Sequence, residues 1–208
     1  MRCLMNVTPP IDSDHLALVL AAGQSRRFGS DKRVALLPDG RTLLTAAIEP
    51  FVALSIPVVV ALRGTDQADH RRLLGCFADH DQVSCVFSAR SVEGMGATLA
   101  EALGLVSLDQ ALQGLFVTLG DMPFITPRLI ATIRSLTALS RPVVPMVKGQ
   151  AGHPVWFPRS WFDKLTKLSG DTGAKKLLRA MEAETLWPEV SERGALIDVD
   201  HPSELTTL

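Results

Sequence analysis

Short apolar runs that alternate with longer helix-like segments constrain the fold of this 208-residue chain more than any other feature. The first run covers residues 16–21 and ends just before Gly23, which suits a strand buried on both faces. Alternation of this kind predicts a mostly parallel mixed sheet with helices on both sides, an α/β protein of three-layer α/β/α architecture. Further strands are predicted over residues 56–62, 83–87, 115–119, 143–147, 155–157 and 196–199.

Length and charge bound the domain organisation and the partners. Residues 1–14 are polar and show no periodicity, which predicts a flexible N-terminal arm before a single domain over residues 15–208. The chain has 21 Lys and Arg residues against 22 Asp and Glu residues. A near-neutral chain lacks the basic surface that nucleic-acid binding requires, so we expect no nucleic-acid partner.

Cysteine content and hydropathy indicate the cellular compartment of the protein. The three cysteines show no C-x-x-C spacing, so the sequence predicts neither a disulfide framework nor a zinc site. No apolar run reaches the roughly 18 residues of a membrane span, and the first residues do not resemble a secretory signal. We therefore expect a soluble, cytoplasmic protein with no membrane partner.

The segment after the first predicted strand has the composition of a polyphosphate-binding loop. Two glycines, Gly23 and Gly29, accompany the cations Arg26, Arg27 and Lys32. Glycine lets backbone N–H groups approach an oxyanion closely, and the cations add positive charge. Five residues separate the two glycines where a P-loop has four, and the G-x-G-x-x-G pattern is absent. A solvated turn with a chance run of charge is the alternative interpretation.

Acidic residues at two distant points of the chain are candidate metal ligands. Asp121 directly follows the predicted strand over residues 115–119, and a carboxylate there faces the cationic loop. Mg²⁺ prefers one or two carboxylates together with phosphate oxygens, although an Asp before a proline also suits a turn or a helix cap. Asp198 and Asp200 lie near the end of the chain. On a strand these two side chains point to the same face, so either is a candidate second ligand.

Residues 20–32, LAAGQSRRFGSDK, resemble the L-A-A/G-G-x-S-x-R-[MF]-G-x-D-K signature of nucleotidyltransferases of the molybdenum cofactor guanylyl- and cytidylyltransferase type. The GDMP sequence at 120–123 and the closing segment at 196–205 are also similar to that family. The resemblance implies a nucleotidyltransferase domain of Rossmann-like fold that binds a nucleoside triphosphate over the end of the sheet, with Mg²⁺ on Asp121 and Asp200. It further implies catalytic roles for Lys32, Arg27 and Asp121. The implied nucleotide-binding residues are Leu20, Ala21, Ala22, Gly23, Ser25, Arg26, Gly29, Gly94, Met95 and Thr98.

Two later segments resemble the molybdopterin cytidylyltransferases of the same family. These are residues 149–155, GQAGHPV, and residues 169–175, SGDTGAK. The resemblance places them on the acceptor side, with His153, Gly152, Asp171 and Lys175 as acceptor-binding residues. The alternative is that His153 only packs and that Asp171 caps a helix.

The resemblance implies transfer of CMP from CTP to the phosphate of molybdopterin, with release of pyrophosphate. The pair Ala21-Ala22 and Phe28 favour the cytidylyl over the guanylyl branch. GTP or another triphosphate with a different phosphorylated acceptor is the first alternative, and a non-catalytic nucleotide- or molybdopterin-binding protein is the second. A molybdoenzyme or its maturation factor is a possible protein partner. Arg33 departs from the family pattern, and we expect it either to serve phosphate or to face water.

Overall fold

The computed structural model describes residues 14–108 and 111–206, so the predicted N-terminal arm lies outside the described residues except for Asp14. Within the described ranges, strands and helices alternate from the start, as the apolar runs predict. The elements are β1 (His15–Leu20), α1 (Leu43–Val52), β2 (Val58–Arg63), α2 (His70–Leu74), β3 (Val83–Ser88), α3 (Met95–Leu105), β4 (Gly114–Leu119), α4 (Pro127–Arg134), β5 (Met146–Val147), β6 (Gln150–Ala151), β7 (Val155–Pro158), α5 (Phe162–Leu165) and α6 (Gly173–Ala180).

The central sheet has five strands in the order β3-β2-β1-β4-β7. Strand β1 pairs in parallel with β2 and β4, and β3 adds in parallel to β2. Only β7 runs against its neighbour, β4. The prediction of a mostly parallel mixed sheet is therefore confirmed.

Alternate residues of β1 face opposite sides of the sheet and enter separate cores. Ala17 and Val19 pack in a cluster with side chains of α1, α2 and α4. Leu16 and Leu18 pack on the other side with side chains of α3, α5 and α6. Both faces of a sheet with a side-chain period of two are thus covered by helices, and the three-layer prediction is confirmed.

Two predicted strands are wrong or shorter than expected. Residues 196–199 form no strand, because Arg193–Leu196 is a 3₁₀ turn and the chain then runs irregularly to Val199. Val199 is fully buried without ladder pairing, so the apolar pattern reflects burial and not extended structure. In the predicted strand at 143–147, only Met146–Val147 is extended, and Val143 forms isolated bridges.

The carboxyl ends of β1 and β4 lie side by side, and this position creates the candidate site. The two strands pair over their whole length, and the Gly120 amide donates to the Leu20 carbonyl at 2.9 Å. The loop after β1 and the turn after β4 therefore begin next to each other, as the topology of an open parallel sheet requires. Every helix within residues 14–108 and 111–206 is too short or too polar to span a bilayer.

Candidate active site

Lys32 lies at the centre of a charged cluster above the sheet. It begins a short 3₁₀ turn, Lys32–Val34, in which the Arg33 amide donates to the side chain of Asp31. From this turn the Lys32 Nζ reaches Asp121 Oδ2 at 2.6 Å and Asp200 Oδ1 at 2.9 Å. It also donates to the Val199 carbonyl at 3.0 Å. One ammonium group thus joins the loop after β1, the turn after β4 and the closing segment of the chain.

Backbone contacts bring the two distant acidic segments together. The Val199 amide donates to the Asp121 carbonyl at 3.0 Å, which docks the closing segment onto the turn after β4. Glu204 then holds the next turn, because its carboxylate accepts from the amides of Asp200 and His201 at 2.7 and 2.9 Å. As a result, carboxylate oxygens of Asp121, Asp198 and Asp200 lie within 4.8 Å of one another. Asp198 joins the cluster although it is not on a strand, so the reason given for its candidacy was wrong.

The electrostatics of the cluster follow from these contacts. Burial lowers the pKa of Lys32, but hydrogen bonds to Asp121 and Asp200 outweigh it and raise that pKa above its ordinary value. The hydrogen bond from Lys32 in turn lowers the pKa of Asp200. Burial, and then the nearby charges of Asp121 and Asp200, raise the pKa of Asp198. The cluster therefore holds more negative charge than Lys32 alone balances.

The donor set fits a hard divalent cation. Asp121 Oδ1 is buried and has no hydrogen-bond partner within the described residues, so one strong acceptor points into the cluster unused. Three carboxylates within reach of one point provide the oxygen ligands that Mg²⁺ and Mn²⁺ favour. A buried acceptor without a partner is costly, and a bound cation would remove that cost.

A pocket of about 370 Å³ opens between the loop after β1 and the start of α3. Most of the predicted nucleotide-binding residues line it, but Gly29 does not. Arg27 also lies off this pocket, with 74% of its side chain exposed, and reaches Asp200 Oδ2 at 2.8 Å. The predicted residues that line the pocket are Leu20, Ala21, Ala22, Gly23, Ser25, Arg26, Lys32, Gly94, Met95, Thr98, Asp121 and Asp171.

Gly94 has a steric reason to be glycine. Its φ of +120° lies in the region that favours glycine, and a Cβ there would lie 2.5 Å from Asp171 Oδ1. The same carboxylate accepts from the Met95 amide at 3.3 Å, at the start of α3. Asp171, which we expected on the acceptor side, therefore borders this first pocket as well.

A larger cavity, about 1190 Å³, adjoins the first and shares four lining residues with it: Leu20, Met95, Leu119 and Asp171. Three other predicted acceptor residues line this cavity: Gly152, His153 and Lys175. Burial lowers the pKa of His153, whose Nδ1 lies 3.3 Å from the Val117 carbonyl. Arg179 and Trp187 also line the cavity and were not singled out from the sequence, since no motif marks them.

Arg33 differs from the expectation. Only 4% of its side chain is exposed, so the alternative in which it faces water is wrong. Its N–H groups are taken by Asp31, Asp66 and the Ala21 carbonyl, which leaves none directed at a phosphate site. Asp66 and Arg63 complete this buried network. Sequence analysis missed both, because a pairing across about thirty residues leaves no local pattern.

Comparisons with known proteins agree with this geometry. The family of MobA-like NTP transferase domains matches residues 17–185. A protein named "Probable molybdenum cofactor guanylyltransferase" from Methanosarcina mazei is 25% identical over 170 residues, which covers 80% of this chain and 66% of the relative. The chain thus spans about two thirds of that relative. The purine catabolism protein PucB of Bacillus subtilis is 24% identical over 202 residues, which covers 91% of this chain and 93% of PucB.

Solved structures extend the agreement to the whole fold. Rv0371c from Mycobacterium tuberculosis H37Rv superposes with a TM-score of 0.77 at 27% identity, covering 93% of this chain and 96% of that one. A structure of the same protein in complex with manganese superposes with a TM-score of 0.68 at 25% identity, covering 85% and 87% of the two chains. Because the family match extends over most of the sequence, this chain belongs to the MobA-like NTP transferase domain family.

Proposed function

We propose that the protein transfers CMP from CTP to the phosphate of molybdopterin and releases pyrophosphate. The observation that carries the proposal is that the smaller of two adjoining cavities is lined by Lys32 and Asp121 of the charged cluster. Asp121 and Lys32 border the smaller cavity, which suits a nucleotide, and four shared residues connect it to the larger one. Two substrates bound in these cavities would meet beside the charged cluster.

The reaction needs no general base. A phosphate monoester has a second pKa of about 6, so near neutral pH the acceptor already carries a nucleophilic oxygen. That oxygen forms a bond to the α-phosphorus as the bond from the α-phosphorus to the bridging oxygen breaks. The electron pair of the broken bond leaves with pyrophosphate. The protein has to bring two anions together, so positioning and charge neutralisation supply the catalysis.

Different residues of the chain would bind the nucleotide, supply positive charge and hold the metal ion. Residues 21–26 line the smaller cavity, and Lys32 holds a fixed positive charge beside it. Arg27 extends a second cation from the exposed side of the cluster. Asp121 and Asp200, with Asp198 next to them, would hold Mg²⁺, which when bound neutralises phosphate charge in the transition state. The manganese complex of Rv0371c supports a divalent ion in this family.

The acceptor assignment rests on the larger cavity and on the relatives. Its lining includes Lys175 and Arg179, one helical turn apart on α6, and the indole of Trp187. Cations and a flat aromatic surface suit an anionic ring system such as a pterin with a phosphate group. The name of the Methanosarcina mazei relative supports a molybdenum cofactor substrate. We also propose that a molybdoenzyme or its maturation factor receives the product.

CTP is proposed because Ala21-Ala22 and Phe28 match the cytidylyl branch. Phe28 acts through packing, because it is buried against Leu43 and Val199 below the loop. GTP is the second candidate, since the Methanosarcina mazei relative carries the guanylyltransferase name. The choice between CTP and GTP is thus a choice between two substrates of one reaction type.

Thermal unfolding with Mg²⁺ and each of CTP, GTP, ATP and UTP tests the choice of base. A ligand at 100 times its Kd stabilises the folded state by about 2.7 kcal/mol, so the preferred nucleotide should give the largest rise in Tm. We expect CTP to give it. A rise for GTP alone would establish the second candidate, and equal rises for all four would contradict base selection at this pocket. Pyrophosphate release with molybdopterin present then tests the reaction.

A further inference from the structure

We propose that Arg33 is a positioning residue that fixes both ends of the nucleotide loop, here defined as residues 21–32. Its guanidinium donates to the Ala21 carbonyl at 3.0 Å, where the loop leaves β1. The same group donates to the two oxygens of Asp31 at 2.8 and 2.7 Å, just before the loop ends. One planar side chain therefore closes the loop on itself.

The contacts of Arg33 with Ala21 and Asp31, here called the clamp, are anchored to the neighbouring strand β2. Arg33 donates to Asp66 at 2.6 and 3.2 Å, and Asp66 lies in the short turn that follows β2. Asp66 is held in turn by the Arg63 amide at 2.9 Å, at the end of β2. The loop is thus tied to the end of β2, a strand in the interior of the sheet. Bidentate contacts of this kind fix direction as well as distance.

The middle of the loop has little else to hold it. Between Gly23 and Ser30 only Phe28 is buried, and the other side chains are exposed or half-buried. A segment with few buried contacts costs conformational entropy when a ligand orders it. Fixing its ends reduces that cost before the nucleotide arrives. Lys32 also benefits, since the Asp31 and Arg33 contacts on either side fix the backbone from which it reaches Asp121.

The inference rests on the proposed binding of a nucleoside triphosphate at this loop. Arg33→Met should raise the Kd and the KM for the nucleotide about tenfold, because a loosely held loop misplaces its donors. The kcat and the KM for the acceptor should stay within about twofold, which is the signature of lost uniform binding. A merely structural role predicts the opposite, since a smaller folded fraction lowers the apparent kcat and leaves KM unchanged. The matched control is Arg71→Met, which removes an exposed arginine paired with Asp79 and should change neither constant.

A second variant and a second measurement keep the test decisive if Arg33→Met folds poorly. Arg33→Met combined with Asp66→Asn removes one charge of each sign and still leaves an acceptor for the Arg63 amide. Hydrogen exchange over residues 22–31 should be faster in both variants than in the wild type. Unchanged exchange and unchanged nucleotide affinity would overturn the clamp. If the wild type binds none of the four nucleotides, the proposed function fails, whereas faster exchange would still support the clamp.

Discussion

Lys32 and Arg33 are consecutive residues, yet they enter two ionic clusters with opposite properties. The Lys32 cluster includes three carboxylates, those of Asp121, Asp198 and Asp200, and two of its members, Lys32 and Asp121, line the smaller cavity. The Arg33 cluster contains two carboxylates and two guanidinium groups, and Arg33 itself is buried. The polar atoms of the buried cluster are satisfied by one another, whereas Asp121 Oδ1 in the open cluster is not.

The difference follows from what burial demands of charge. A buried ion pair tolerates its desolvation only when its geometry is good and its polar groups are hydrogen-bonded, and every guanidinium nitrogen of Arg33 has an acceptor. An excess of carboxylates with an unused oxygen is costly in an isolated fold, and it becomes favourable once a cation or a cationic partner is bound. Balanced charge therefore marks the scaffold here, and unbalanced charge marks the candidate site.

Substitution of the unpartnered carboxylate should have the largest effect. Asp121→Asn should lower kcat by about 100-fold or more, the loss typical of removing a main electrostatic element of a site. The amide keeps the size of the side chain but removes the negative charge that would hold a metal. Pyrophosphate release at saturating nucleotide, acceptor and Mg²⁺ measures the effect.

The control for that variant is Asp79→Asn, which removes an exposed carboxylate paired with Arg71 away from both cavities. Its kcat should equal that of the wild type. A wild-type rate for Asp121→Asn at saturating Mg²⁺ would remove Asp121 from the site and would leave the comparison between the two clusters without a functional meaning.

Divalent cations should distinguish the two clusters in thermal unfolding. Lys32→Met leaves the three carboxylates without their central cation, and it should lower Tm by about 5 °C in the absence of divalent ions. Because Lys32 no longer occupies the carboxylates, Mg²⁺ or Mn²⁺ should raise the Tm of this variant more than that of the wild type. Arg33→Met should also lower Tm, but its response to the divalent ions should match the wild type.

Potassium chloride at matched ionic strength controls for general screening of charge. If Lys32→Met and the wild type gain equally from Mg²⁺, Lys32 is not the counterion of the open cluster. If Arg33→Met gains more than the wild type, the buried cluster also holds a cation, and the distinction drawn between the two fails.

The sequence predicted the central sheet because its two central strands are mostly apolar. Residues 16–20 and 115–118 are buried on both faces of the sheet, and short runs of this kind between turn signals indicate buried strands. The same rule failed at residues 196–199, where Val199 is buried but follows a 3₁₀ turn instead of pairing in the sheet. Apolar content reports burial, and it does not report whether the backbone pairs.

The candidate site likewise contains residues that the sequence predicted and residues that it did not. Lys32, Asp121 and Asp200 were proposed from local motifs, and the fold brings all three within contact distance. Arg33 was also visible as a charge, but its direction depends on Asp66, whose position is set by the end of β2. Local motifs therefore indicated the candidate side chains of the site, whereas the side chains that hold them were fixed by contacts between distant strands.

Arg27 should show the smallest effect, and it tests how far the open cluster extends into solvent. Its contact with Asp200 is largely exposed, and such pairs contribute about 1 kcal/mol or less to stability. Arg27→Gln should therefore leave Tm nearly unchanged and raise the nucleotide KM by about two- to fivefold at low salt. High salt should abolish the difference, because exposed charges are screened. A salt-independent loss of kcat would show instead that Arg27 contacts the reacting phosphates directly, and the cluster would then include it as an equal of Lys32.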